Sequence, residues 1–194
     1  LLIAAGTLSD DDGRTFDKWV QEGGKALLFA SSAVGWSPVV VRDSMTHAYA
    51  WRRDGAFLAD VPENVFSVWR PKATVGDLTL EKPSDTDVHV LLDNGDSGGI
   101  RTADAVRLYN GEGSWFVTTL PVEASFAEEP AARFLAVRFA LDQLADAGLA
   151  DVGYSFFGGK NPFAELFKRN GFLAPRPFGK AGVALAEASE LATA

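Results

Sequence analysis

Cysteine is absent from this 194-residue chain. That absence excludes disulfides, zinc–thiolate sites, iron–sulfur clusters and a cysteine nucleophile, and it leaves the redox compartment unread. Histidine is nearly absent, at two residues, so the usual general base and metal ligand is scarce. Basic residues are outnumbered: 18 Lys plus Arg stand against 26 Asp plus Glu, a formal charge of −8. An acidic surface repels phosphate backbones and no local basic patch offsets it, so nucleic acid is not an expected partner. No apolar run approaches the roughly 18–20 residues of a membrane-spanning helix, so no membrane insertion is expected. The P-loop, G-x-G-x-x-G and metal-ligand spacings are missing as well; neither a cofactor nor a metal is expected.

What is present is ordinary globular material, 47% hydrophobic and 23% charged, enough for one well-filled domain or one domain with a small appendage. Leu1-Leu2-Ile3-Ala4-Ala5-Gly6 reads as a buried strand of the near-continuous apolar kind that parallel sheets use. It has no initiator Met and no basic lead-in, and it is too short for a secretory signal, so the chain looks cut from something longer. Ser9 is the expected N-cap of a helix to about Gln21, with Asp12 at the capping-box position and Asp10, Asp11 and Asp12 at the positive end of the dipole. Phe16, Trp19 and Val20 fall on one face of that helix. Gly23-Gly24 closes it, and Lys25 to Ala30 reads as a second buried strand, completing one right-handed crossover.

From 31 to 113 the pattern changes. Pro38, Pro62, Pro71 and Pro83 punctuate short β-prone pieces at Pro38 to Val41, His47 to Trp51, Asn64 to Trp69 and Val88 to Leu92. This stretch reads as a β-rich insertion lying over or beside the parallel sheet. Alternation of strand and helix returns with Ser114 to Val122 as a strand and Glu128-Glu129-Pro130 opening a long helix. Phe134, Leu135, Val137, Leu141 and Leu144 are its expected apolar side. Val152 to Phe157 reads as a strand, Asn161-Pro162 opens a helix to about Arg169, Ala181 to Leu185 is a short strand or loop, and Ala186 to Ala194 a short helix. The expected fold is an α/β three-layer sandwich: residues 1–30 and 114–194 form the core and 31–113 the insertion. Taken in the order 151–194 then 1–30, the pieces give an uninterrupted strand–helix series. That order predicts a circularly permuted or segment-exchanged domain, against the alternative of truncation.

Motifs with chemistry are thin. Gly95-Asp96-Ser97-Gly98-Gly99 reads as a turn, and Gly158-Gly159-Lys160-Asn161-Pro162 as a helix cap with the context, but not the residues, of an anion pocket. Ser31 and Ser32 follow an apolar strand where a nucleophile elbow sits, without the glycines of G-x-S-x-G. His47 and His89 are the only candidate bases for them. Asp10 to Asp12 and Glu128-Glu129 are explained by helix starts rather than by a glycosidase carboxylate pair. Of the five Trp, Trp36, Trp51 and Trp69 lie in the insertion and offer indole faces to a sugar, with Asp93, Asn94, Arg52, Arg53 or Arg70 as hydrogen-bonding partners. The competing reading is that these indoles fill a thin core.

Three blocks resemble a known arrangement when taken in order. Leu2 to Asp10 with Trp19 to Leu28, then Leu91 to Arg101, then Tyr109 to Val117 with Leu120-Pro121 and Glu129 to Arg133, are similar to the class I glutamine amidotransferase-like superfamily. The closer likeness is to its catalytically silent copies, found as accessory modules in large glycoside hydrolases of the family 2 and β-galactosidase type. The resemblance covers about half the chain and implies a mostly parallel, flavodoxin-like sheet. It departs from active amidotransferases because this chain has neither Cys nor a His-x-Glu pair, so glutaminase chemistry is not implied. The expected function is a non-catalytic accessory domain of a carbohydrate-active enzyme, serving interdomain packing, oligomerisation or sugar contact. Its partners are other domains of a longer chain, another copy of itself, or carbohydrate. Two other readings stay open: a stand-alone serine hydrolase using Ser31 or Ser32 with His47 or His89, and a sugar-binding module built on the three Trp.

Overall fold

A computed structural model describes residues 1–43, 58, 61–62, 64–67, 69, 77–84, 87–96, 99–145, 153–157, 173–175 and 183–187. The opening crossover forms as its sequence dictates. Strand β1 (Leu2–Gly6) leads into helix α1 (Asp10–Gln21) and then strand β2 (Lys25–Ala30), which pairs with β1 in parallel. The Ser9 hydroxyl caps α1, accepting from the Asp12 N–H at 3.1 Å. At the other end Gly23 adopts φ +103°, and the Gly24 and Gly23 N–H groups reach back to the Trp19 and Val20 carbonyls, a left-handed exit that suits glycine. Gly13, Phe16 and Val20 form the buried side of α1, whereas Trp19 is half exposed and lies over Gly24. The expected stripe is therefore rotated toward Gly13, whose missing side chain lets Trp36 pack against the helix.

The segment 31–113 contributes strands to this same sheet. Strands β3 (Val41–Asp43), β4 (Leu78–Glu81), β5 (Val88–Asp96) and β6 (Gly99–Asn110) pair antiparallel with their neighbours, and β6 turns into strand β7 (Gly113–Thr118) through Asn110-Gly111. Gly111 has φ +62°, and a Cβ there would lie 2.4 Å from the Gln21 carbonyl oxygen, so the hairpin tip is seated on the end of α1. Asn64–Ser67, expected as β-prone, is a helical turn (α2), and the strand expected to run to Val122 stops at Thr118. Pro121 then precedes a second short helix, α3 (Val122–Ser125).

Helix α4 (Pro130–Ala145) starts on a proline, where no N–H is needed, and the Glu129 carboxylate accepts from the Ala131 N–H. Its buried residues are Ala132, Leu135, Ala136, Phe139, Ala140, Gln143 and Leu144. This is a 3–4 period read through alanines, which let the helix approach the sheet closely. Phe134 and Leu141, expected on the buried side, are 44% and 46% exposed. Strands β8 (Gly153–Phe157), β9 (Leu173–Pro175) and β10 (Val183–Glu187) complete the sheet. The helix expected over 161–169 lies outside the described residues; of the helix expected over 186–194, Ala186 and Glu187 are strand in β10 and the rest lies outside the described residues.

The strand order is β3-β4-β6-β7-β2-β1-β10-β8-β9, with β5 on β6. From β9 to β7 neighbours run parallel, and the remaining pairings, at β6, β5, β4 and β3, are antiparallel. The fold is thus α/β with a mixed sheet, where a mostly parallel one was expected. Strand alternation sends Ile3, Ala5, Leu27, Phe29 and Phe116 to the α4 face, and Leu2, Ala4, Leu28, Trp115 and Val117 to the α1 face. Replacing Phe139, fully buried and 4.7 Å from Phe116 between ring centroids, by Ala is expected to cost about 3–5 kcal/mol. Phe134→Ala is expected to cost under about 1 kcal/mol; urea unfolding of both variants checks the pair.

Candidate functional site

The carboxyl ends of parallel strands are where α/β sheets ordinarily place ligands, and three candidate polar groups collect at that level here. Gly6 of β1 aligns with Ala30 of β2, and Thr119, next after β7, hydrogen-bonds to Asp104 of β6 through its N–H at 3.0 Å. Ser31 comes immediately after β2 and is exposed. Ser32 is half buried, and its hydroxyl accepts from the Val34 N–H at 3.0 Å, which commits it to a local turn.

Asp104 stands at a break in both edges of β6. On one edge β6 pairs with β7 as far as Ala105 and with β4 from Ala103 onward. On the other edge Leu92 of β5 faces Ala105 and Asp93 faces Ala103, so Asp104 is a bulged residue without a partner in β5. The bulge shifts the alternation: Ala105 packs on the α4 face and Ala103 on the α1 face.

Side chains satisfy the backbone at this break. The Thr118 hydroxyl donates to the Asp104 carbonyl at 2.8 Å, and the Thr79 hydroxyl of β4 donates to the Ala103 carbonyl at 3.2 Å. Asn94 Nδ2 donates to Asp104 Oδ1 at 2.7 Å and reaches Thr79 Oγ1 at 3.4 Å. Asp104, Asn94, Thr79, Thr118 and Thr119 are all buried. Burial pushes the Asp104 carboxyl up to about 7, against smaller lowering effects from the Asn94 and Thr119 side chains. Asn94 Oδ1 and Thr119 Oγ1 are buried without a hydrogen-bond partner, so Thr119 acts on the carboxyl from outside hydrogen-bonding geometry. Next to this cluster, Asp93 forms an ion pair with Lys82, whose ammonium also donates to the Ile100 carbonyl at 3.1 Å.

The remaining candidates are dispersed. His89 of β5 is exposed and meets Tyr109 edge-on, with ring centroids 6.3 Å apart. Its row runs through Arg107 and Phe116 to Leu27 of β2, four residues before Ser31. That places His89 roughly 13 Å along the strands and about 14 Å across the sheet from Ser31, so the structure does not bring the two together. Trp69 is buried on the α4 face with its indole N–H on the Val65 carbonyl. Trp36 is half buried on the α1 face, 5.3 Å from the Trp115 ring, so these two indoles share no surface. Asp93 and Asn94 are buried and engaged as described. His47, Trp51, Arg52, Arg53, Arg70, Ser97, Gly98 and residues 158–162 lie outside the described residues.

Sequence reasoning missed two buried polar residues, Asp104 and Gln143, and the half-buried Asp17. Asp104 sits in a run, Thr102 to Val106, whose alternation is interrupted, and the bulge explains the interruption. Gln143 of α4 is fully buried, donating to the Ala26 carbonyl and accepting from the Ser114 hydroxyl, both at 3.3 Å. Asp17 accepts from the Trp115 indole and the Asn110 amide, both at 2.9 Å. Among the described residues no group of three or more His, Cys, Asp or Glu is arranged to hold a metal. The cluster at Asp104 therefore offers a buried neutral-to-anionic carboxyl and amide, not a nucleophile with its base.

No family model matches the chain, and neither does any curated protein. Among solved structures the chain is similar to the β-galactosidase from Bacillus circulans sp. alkalophilus, at 14% identity and a TM-score of 0.46. The match covers 76% of this chain and 23% of that one, so the chain spans less than a quarter of that protein's length. Thr118→Val is expected to cost about 1–3 kcal/mol, because it removes one of the two donors on the Asp104 carbonyl and takes the acceptor of the buried Leu120 N–H, whereas Ser31→Ala at the exposed strand end stays within about 0.5 kcal/mol. Denaturant midpoints of the two variants check this contrast.

Proposed function

We propose that the chain is a non-catalytic α/β accessory module of a larger carbohydrate-active enzyme, and that it works by packing against another folded unit. The observation that carries this reading is the outer side of α4. Phe134 and Leu141 are seven residues apart on one side of the helix, both exposed, while the opposite side is fully used against the sheet. A helix apolar on both sides is one made for two partners. The Arg138 guanidinium lies 5.6 Å from the Phe134 ring centre and Arg133 is exposed beside it, so the surface is apolar with a basic border on an acidic protein. Packing is favoured over sugar contact because Trp36 and Trp69 lie on opposite faces of the sheet.

The carbohydrate-enzyme setting rests on the three sequence blocks and on their departure from the amidotransferase nucleophile. A flavodoxin-like winding belongs to the same proposal. The parallel order β8-β10-β1-β2 is what a strand–helix series running from 151–194 into 1–30 would lay down, by permutation or by exchange between copies.

Incubated with aryl glycosides and with glutamine, the chain is expected to release neither aglycone nor ammonia; turnover of either overturns the accessory reading. Phe134→Glu with Leu141→Glu is expected to leave the unfolding midpoint nearly unchanged and to abolish binding of a hydrophobic-patch dye. Equal dye binding by both proteins would remove the basis for a packing surface. Sedimentation tests one partner: self-association lost in the double variant identifies a second copy, and a monomer throughout removes it.

A further inference from the structure

We propose that the folded protein keeps Asp104 in its protonated form, paired two-fold with Asn94, so that the point where β6 passes from β7 to β4 is a clasp closed by acid and loosened by base. Both Asn94 amide hydrogens are used, on Asp104 Oδ1 and Thr79 Oγ1. The Thr79 hydroxyl is used on the Ala103 carbonyl, and the Thr118 hydroxyl and Thr119 N–H on the Asp104 carbonyl; the Thr119 hydroxyl acts on the Asp104 carboxyl itself. Asn94 Oδ1 is left as a buried acceptor with no donor. A carboxylate can only accept and leaves that oxygen unsatisfied, whereas a carboxylic acid brings one O–H. An acid and a primary amide make a two-point pair, N–H to the acid carbonyl and O–H to the amide carbonyl. Protonation of Asp104 supplies the missing donor.

The surroundings offer the carboxyl little charge compensation. On β4, Glu81 is paired with Arg42 of β3; on β5, Asp93 is paired with Lys82 and His89 lies at the far end; β7 carries no titratable side chain. On β6 itself, Arg107 is paired with Asp142 of α4 and Arg101 is exposed. With burial as its dominant influence, the carboxyl is raised to about 7.

The sign follows from linkage. The folded carboxyl holds its proton up to about 7, while the opened or unfolded carboxyl loses it near the ordinary value of 3.8. The stabilisation is therefore complete below about pH 4 and is lost as pH rises through about 7. The β5–β6 bulge is the element that gives way, because Asp104 has no strand partner in β5 there.

The test is a carbon-13 NMR titration of the side-chain carboxyls of the whole chain, combined with hydrogen exchange of the Thr119 amide in the wild type and in Asp104→Asn. The Asp104 carboxyl is expected to titrate near pH 7. The opening constant at Thr119 is expected to rise about tenfold per pH unit from pH 5 to near 7 and then to level off. Asp104→Asn, whose new amide makes the same two-point pair at any pH, is expected to lose that slope and to raise the melting temperature at pH 8 relative to the wild type. An Asp104 midpoint below pH 5, or an unchanged slope in the variant, overturns the proposal. The wild-type carboxyl midpoint decides the matter alone if the variant does not fold.

Discussion

The architecture depends on a single handover. β6 is too long for one neighbour, so it pairs with β7 over its second half and with β4 near its start. A strand that changes partners must leave backbone carbonyls between the two ladders, and a buried carbonyl without a donor is costly. Thr118 and Thr79, one from each neighbour, supply those donors to Asp104 and Ala103. The bridge reinforces the two-residue ladder, Leu80 with Ala103 and Glu81 with Thr102, by which the antiparallel extension β4-β3 is attached to the rest of the sheet. The polar cluster at Asp104 is the joint between the two halves.

The joint also sets which side chains meet which helix. Because Asp104 is an extra residue relative to β5, the inward and outward pattern of β6 shifts there, and Ala103 and Ala105 end on opposite faces. Small residues at both positions suit a strand that twists sharply at a bulge. Beyond it, regular alternation delivers Phe116 to Phe139 and Trp115 to Trp36, so each helix layer receives one large aromatic contact from β7.

Where local pattern and tertiary outcome agree, the sequence was readable. β1, α1 and β2 carry their own cap, their own glycine exit and continuous apolar runs, and they form at nearly the expected residues. The start of α4 is marked equally well by Glu129-Pro130. Its buried side was misassigned because Phe134 and Leu141 are more hydrophobic than the alanines that face the sheet. There, steric fit of small residues outweighs hydrophobicity. β6 went unread because a bulge breaks the two-residue period that identifies a strand, and Asn64–Ser67 because proline spacing resembles that of edge strands. The polar joint was hidden for a deeper reason: Asn94 lies 10 positions before Asp104 and Thr79 lies 15 before Asn94, and only strand pairing brings them together.

Gln143 gives the helix layer something that apolar packing does not. Its amide bridges adjacent strands, holding a carbonyl of β2 with one end and a hydroxyl of β7 with the other. Greasy contacts tolerate small rotations of a helix about its axis; a buried amide with two fixed correspondents does not. The interior amide thus acts as an indexing pin, and the compass bearing of everything on the solvent side of α4 is decided from within.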